Sequence, residues 1–237
     1  MPVTGNNTHT TQKILSIRLR RDGLSFYCTE ENISPREVLF ADHGDKLSAL
    51  RSVFDDGTYS GLDRINIFVD TAQCVFIPAE VTDMALPEHW LAEMSIHTAP
   101  DETAVISAPS SMICAAFAVD TAIYEWVEYK FGTSAEWLSP MHELIAAAHG
   151  SVTPSGKGYF AVYPTNDNIY IMAAAADGSA SALEVYPLKS TADIIYFLNA
   201  LCPTECKCND MTVYIHGDRP PRHTRFLRRY FKKVKTI

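Results

Sequence analysis

Alternation of apolar and polar positions is clearest over residues 157–218. Lys157–Tyr163 reads as a strand, with Phe160 and Val162 on one face. Thr165-Asn166-Asp167-Asn168 is turn chemistry, and Ile169–Ala175 is a second strand. Asp177-Gly178-Ser179 turns the chain again before a third strand, Ala182–Tyr186. Ser190-Thr191-Ala192-Asp193 has capping-box spacing, with Asp in place of Glu, ahead of a largely apolar helix to about Leu201. Met211–Ile215 is a short apolar strand. The order is strand, strand, strand, helix, strand.

The same order occurs near the N-terminus. Ile14–Leu19 alternates, Arg21-Asp22-Gly23 is a hairpin turn, and Leu24–Thr29 pairs back. Val38–Ala41 is a third strand. Asp45 can cap a helix carrying Leu47, Leu50 and Phe54, and Ile65–Val69 is the fourth strand. The units start 144 residues apart (157 minus 13), too long a period for a solenoid. The pattern predicts duplication of a whole domain, with function at the cleft between the halves, because sites favour domain interfaces.

Between the units the chain adds a strand (Cys74–Ile77), a helical stretch over 79–94 broken at Pro87, and strands Thr103–Ser107 and Cys114–Val119. Asp120 caps a helix bearing Ile123, Trp126, Val127 and Phe131. Ala135–Leu138 is extended, and Ser139-Pro140 opens a helix to about His149. Ser151–Lys157 is the boundary between halves. The first lobe is then 13–150, with an inserted subdomain at about 79–150, and the second is 151–237; 1–12 is a disordered lead-in. The chain ends in a helix from about Pro221 to Lys233.

Several stretches carry a resemblance. They are LSIRLRRDGLSFYC (15–28), CVFIPAEV (74–81), AFAVDTAIYEWVEYKFG (116–132), and the final VYIHGD through FLRRYFKKV (213–234). The repeated unit resembles the ribonuclease-H-like core, and its duplication resembles the actin-like ATPases. More narrowly, nearly the whole chain is similar to an uncharacterised bacterial domain-of-unknown-function family with that fold. The resemblance implies an α/β, two-lobed actin-like architecture of duplicated βββαβ units with mixed sheets. It implies no activity, because this fold hosts kinases, chaperones, filaments and inactive scaffolds.

Composition narrows the setting. The longest apolar run is eight residues, Met112 through Val119, far below the roughly 20 that span a bilayer. No charged-then-apolar leader precedes it, so a cytoplasmic protein with reduced thiols is expected. Cys28, Cys74 and Cys114 read as buried thiols. Cys202, Cys206 and Cys208, with His216 or His223, could ligate zinc but lack a paired Cys-x-x-Cys; free thiols are favoured. Net charge is −8, yet from Arg219 onward there are eight Lys/Arg and no Asp/Glu, leaving 12 minus 28, or −16, before it.

The resemblance directs attention to phosphate-cradling hairpins, an acid for Mg²⁺ and small residues for close approach. Asp22 and Gly23 stand in the first hairpin, Asp167 in the second, and Gly217 follows the last strand; these would line a nucleotide cleft. All three motifs are degraded, and ordinary β-turns are the favoured account. Gly150 to Gly158 is no P-loop: five residues separate Gly150 from Gly156-Lys157, and Gly158 stands where Ser or Thr belongs. In the final helix, Phe226, Leu227, Tyr230, Phe231 and Val234 make a packing stripe. Arg222, Arg225, Arg228, Arg229, Lys232 and Lys233 form the opposite face, either solvated or an anion-binding surface. Three functions stay open. The preferred one is a non-catalytic interaction scaffold whose partner is another protein, with no cofactor. The second is a divergent ATPase or kinase-like enzyme using ATP and Mg. The third is an RNA-associated protein using the tail.

Overall fold

The computed structural model describes residues 12–30, 33–55, 57–82, 86–109, 112–152, 157–202, 207–217 and 220–237. The expected lead-in, apart from Gln12, lies outside them, as do Gly156, Cys206 and Asp218.

The first sheet runs in the order β3-β2-β1-β4-β8. Its strands are β1 (Ile14–Leu19), β2 (Gly23–Cys28), β3 (Arg36–Leu39), β4 (Arg64–Val69) and β8 (Ala135–Leu138). β1, β2 and β3 are antiparallel neighbours, while β4 runs parallel to both β1 and β8. Alternation decides the faces. Leu15, Ile17, Leu24, Phe26 and Val38 are buried with residues of α1 (Lys46–Phe54) and α3 (Thr121–Phe131). Asp45 caps α1 as expected: its carboxylate accepts the Ser48 N–H at 2.7 Å, which holds its pKa below the usual value.

The second sheet has the corresponding order β11-β10-β9-β12-β13. It comprises β9 (Tyr159–Pro164), β10 (Asn168–Ala174), β11 (Ala180–Pro187), β12 (Thr212–Ile215) and β13 (Lys233–Thr236). One face packs on α5 (Thr191–Ala200) and α6 (Pro220–Leu227). The Asp193 carboxylate accepts the N–H groups of Lys189 and Ser190, at 2.9 and 2.7 Å, which fixes the start of α5. The opposite face carries Tyr159, Ala161, Tyr170 and Met172. It is covered by α4 (Pro140–Ser151) through Met141, Leu144, Ile145 and Ala148. Thus β9 and β10 are buried along their whole length.

Between β4 and α3 lies an insertion: β5 (Cys74–Pro78), α2 (Pro87–Glu93), β6 (Glu102–Ile106) and β7 (Ile113–Asp120). Its strands form an antiparallel sheet, β5-β7-β6. Phe117 and Val119 join the first core, and Ala116 packs with Leu91 of α2 on the other side. Pro87 begins α2 rather than breaking a longer helix, and 79–81 form a separate 3-10 turn. A proline without an N–H fits the first helical turn, where that donor has no partner.

The tail differs from the sequence expectation. The last helix ends at Leu227, and 233–236 form an edge strand parallel to β12, with Val213 opposite Val234. Lys233-Val234-Lys235 fits the two-residue period of a strand as well as the helical stripe. The open side of β12 decides between them, and lysines suit an exposed edge. Leu227, Phe231 and Val234 are still buried. Among the described residues, no helix is long and apolar enough to cross a membrane.

Candidate functional site

The polar side of the first sheet faces a cleft of about 790 Å³ between the two sheets. Ser16, Arg18, Ser25, Tyr27 and Glu37 project into it from β1, β2 and β3. Thr165 and Asn166 from the β9–β10 turn, Lys189 and Ser190 ahead of α5, and Arg222 and His223 of α6 form the opposite bank.

The floor of the cleft is bridged by side chains. Arg18 Nη2 donates to Glu143 Oε2 of α4 at 2.8 Å, and its guanidinium lies 5.1 Å from the centre of the Tyr163 ring. Asp70, just past β4, is 7% exposed. Its Oδ1 accepts the Asn168 amide at 2.8 Å and the Tyr170 hydroxyl at 3.0 Å. The Thr71 N–H donates to the same hydroxyl at 3.1 Å. Burial pushes the Asp70 carboxyl above its usual pKa; the bonds from Asn168, Thr165 and Tyr170, with Arg18 nearby, oppose that. Burial, with Asp70 beside it, raises the Tyr170 phenol well above its usual value.

The hairpins are closed by hydrogen bonds at their bases, and the Asp22 and Asp167 carbonyls accept from neighbouring segments. Arg20 N–H donates to Gly23 O at 2.9 Å, and Phe40 N–H to Asp22 O at 3.0 Å. Thr165 N–H donates to Asn168 O at 2.8 Å, Asn168 N–H to Thr165 Oγ1 at 3.0 Å, and Leu188 N–H to Asp167 O at 2.7 Å. Arg20, reaching into the cleft, pairs with Glu37 at 2.5 Å and Asp22 at 3.4 Å.

Among the described residues, the cleft lining includes Arg20, Thr165 and Asn166 but not Asp22, Gly23, Asp167 or Gly217. Gly23 lies against β3, where a Cβ would sit 2.3 Å from Val38 O. Gly217 has φ +118°, and a Cβ there would sit 2.6 Å from the Tyr163 ring. The six tail cations do not share a helix face. Arg222 and Arg225 are on α6, Arg228 and Arg229 follow it, Lys232 precedes β13 and pairs with Asp210, and Lys233 lies in the strand. All six are exposed. Sequence reasoning did not single out Arg18, Asp70, Glu143, Asn168 or Tyr170. A local signal existed for two of them: an arginine on the polar side of an alternating strand, and an acid ending an apolar one.

Two of the thiols are held in the protonated form. Burial pushes Cys74 up to about 12, and burial together with neighbouring Cys202 does the same to Cys208. No cluster of three metal-ligating side chains occurs among the described residues; Cys206 lies outside them.

A second polar group lies behind the cleft. His142 Nδ1 accepts the Ser139 N–H at 3.2 Å, completing a capping box at the start of α4. Nδ1 also lies 3.1 Å from Ser139 O, and Nε2 lies 3.1 Å from Ser107 Oγ, which accepts the Ala115 N–H at 2.8 Å. Ser107 is fully buried, so this pair meets no substrate. Burial lowers the His142 pKa below its usual value. The unfolded chain therefore takes up a proton near pH 6.5 that the fold refuses. Stability is complete above that pH and falls as pH drops through it toward the folded value. Thermal unfolding from about pH 7.5 to 5.5 should show this fall, with a ceiling of about 1.4 kcal/mol per pH unit for one proton. His142→Gln should flatten it, leaving the part due to His223, whose pKa is also lowered by burial and Arg222. An unchanged slope in the variant would place the titration elsewhere.

Two five-stranded sheets of corresponding order, facing each other across a cleft, with a subdomain inserted in the first, define an actin-like ATPase fold. The chain belongs to the family described as protein of unknown function (DUF3822), whose model matches residues 3–234. It is similar to a Bacteroides thetaiotaomicron protein with actin-like ATPase fold and unknown function. The identity is 20%, over 98% of this chain and 93% of that one, with a TM-score of 0.75. It is also similar to a chain of the PilM–PilN type IV pilus biogenesis complex: 11% identity, 94% and 88% coverage, TM-score 0.55. A third similarity is to the cytoplasmic domain of EpsL, an inner membrane component of the type II secretion system of Vibrio cholerae. There the identity is 7%, the coverage 86% and 82%, and the TM-score 0.50. No curated protein matches.

Proposed function

We propose that the protein is a non-catalytic interaction scaffold of the cytoplasm, descended by duplication of one βββαβ unit, whose partner is another protein. The observation carrying this is the bridged floor of the cleft. Phosphate cradling needs backbone N–H groups left free and small residues that allow close approach. Here the small residues Gly23 and Gly217 are packed against Val38 and Tyr163, and Arg18, Asp70, Glu143, Asn168 and Tyr170 tie the two banks together. The similarity to a chain of a PilM–PilN complex supports a protein partner for this architecture. The RNA reading has less behind it, because the tail cations lie on three different segments and Lys232 is held by Asp210.

Mg-ATP in a thermal-shift assay tests the proposal. A nucleotide at about 100 times its Kd would add about 2.7 kcal/mol, a shift of several degrees. No shift is expected at millimolar nucleotide. A shift of that size, abolished by Asp22→Ala or Asp167→Ala, would restore the ATPase alternative.

A further inference from the structure

We propose that the inserted subdomain of one copy of this chain docks on the C-terminal segment of a second copy, acidic and aliphatic surface against basic and aromatic surface. This pairing goes beyond the partner proposed above, and it does not depend on what the cleft binds.

Charge is divided along the sequence. Between Arg64 and Lys130 there are ten Asp/Glu and no Lys/Arg, a stretch that contains the whole insertion. From Arg219 onward there are eight Lys/Arg and no Asp/Glu. In the fold, Glu80, Glu88, Glu93 and Asp101 are exposed in α2 and the segments flanking it. α2 lies on the side of the insertion's sheet away from the first core. Arg225, Arg228, Arg229 and Lys233 are exposed in a stretch that Leu227, Phe231 and Val234 anchor to the second core. Among the described residues, no ion pair engages any of these eight side chains.

Topology keeps the two surfaces apart. The insertion meets the second sheet at β11, where Phe76 of β5 shares an apolar cluster with Leu183. The C-terminal segment lies at β13, the opposite outer strand of that sheet. Four strand spacings of about 4.8 Å separate β11 from β13, about 19 Å in all. That is about twice the screening length at 0.1 M salt, so the two charges do not neutralise each other within one chain. A second copy satisfies both, and opposite charges across a contact favour it while like charges exclude other registers.

Apolar surface accompanies each charge. Val81 follows Glu80 and is 60% exposed; Met94 follows Glu93 and is 63% exposed. Tyr230 follows Arg229 and is 50% exposed, its ring beside Phe226. Methionine, tyrosine and arginine are enriched where proteins meet. Because the two surfaces differ, each docked pair leaves one of each uncovered, and copies add head to tail.

The test is charge exchange in the full chain, read by sedimentation equilibrium. At about 100 µM chain and about 50 mM salt the parent should exceed the mass of a single chain, and about 500 mM salt should weaken association at least about tenfold. Glu80→Lys with Glu93→Lys, or Arg228→Glu with Arg229→Glu, should each weaken it at least about tenfold. An equimolar mixture of the two variants should associate again, because the reversed insertion of one then faces the reversed tail of the other. Should a reversal lower the unfolding temperature, the neutral changes Glu93→Gln and Arg229→Gln take its place, each expected to weaken association at least about threefold. A parent that stays a single chain at low salt leaves these surfaces to other partners and overturns the proposal. Association indifferent to the substitutions overturns it too. Failure of the mixture to associate, with both variants unfolding at the parent's temperature, shows that the two surfaces do not meet and overturns the head-to-tail pairing.

Discussion

Gly217→Ala is expected to destabilise the protein by about 2–6 kcal/mol. Two costs add. At φ +118° an L side chain is strained, about 1–3 kcal/mol. The new Cβ would also meet the Tyr163 ring at 2.6 Å, and overpacking costs about 1–3 kcal/mol. Tyr163 cannot swing aside: it is 1% exposed, packed edge-on against His216 at 4.8 Å, and holds Arg18 over its face. Urea unfolding without any ligand measures this. Had Gly217 served only a nucleotide, the unliganded variant would be as stable as the parent.

Gly23→Ala is expected to cost about 2–3 kcal/mol, an overpacking penalty with no flexible neighbour to relieve it. The new methyl carbon would lie 2.3 Å from Val38 O, a backbone atom. The clash can be relaxed only by moving β3 away from β2, where Gly23 faces Leu39 and Leu24 faces Val38. Amide exchange should therefore speed up in β3 before it does in β1 or β4. Uniformly unchanged exchange and stability would show that the strand shifts without cost. Both glycines that a nucleotide reading would claim thus have structural reasons to be glycine.

What could be read from the sequence was local. Alternation placed β1, β2, β9 and β10, short apolar runs placed β4 and β12, and the Asp45 and Ser190–Asp193 patterns marked two helix starts that the structure contains. These signals depend on neighbours three or four positions away. The tail failed because its apolar positions satisfy two periods, and only the vacant side of β12 selects the strand. The cleft could not be read for a related reason. Arg18 and Glu143 are 125 positions apart, and Asp70 and Tyr170 are 100 apart, so neither pair leaves a local trace. The candidates chosen, Asp22 and Asp167, sat at turns where sequence is easiest to interpret. The side chains that join the banks sit within strands, just past one, or on α4.

α4 follows the last strand of the first sheet in the chain, yet its apolar residues lie on the second sheet. Severing the polypeptide within 153–156 would strip Tyr159, Tyr170 and Met172 of their cover and leave Met141 and Leu144 facing water. Severing it after Leu138 would keep that layer intact, so a two-fragment reconstitution of this molecule should reassemble from the second pair and precipitate from the first.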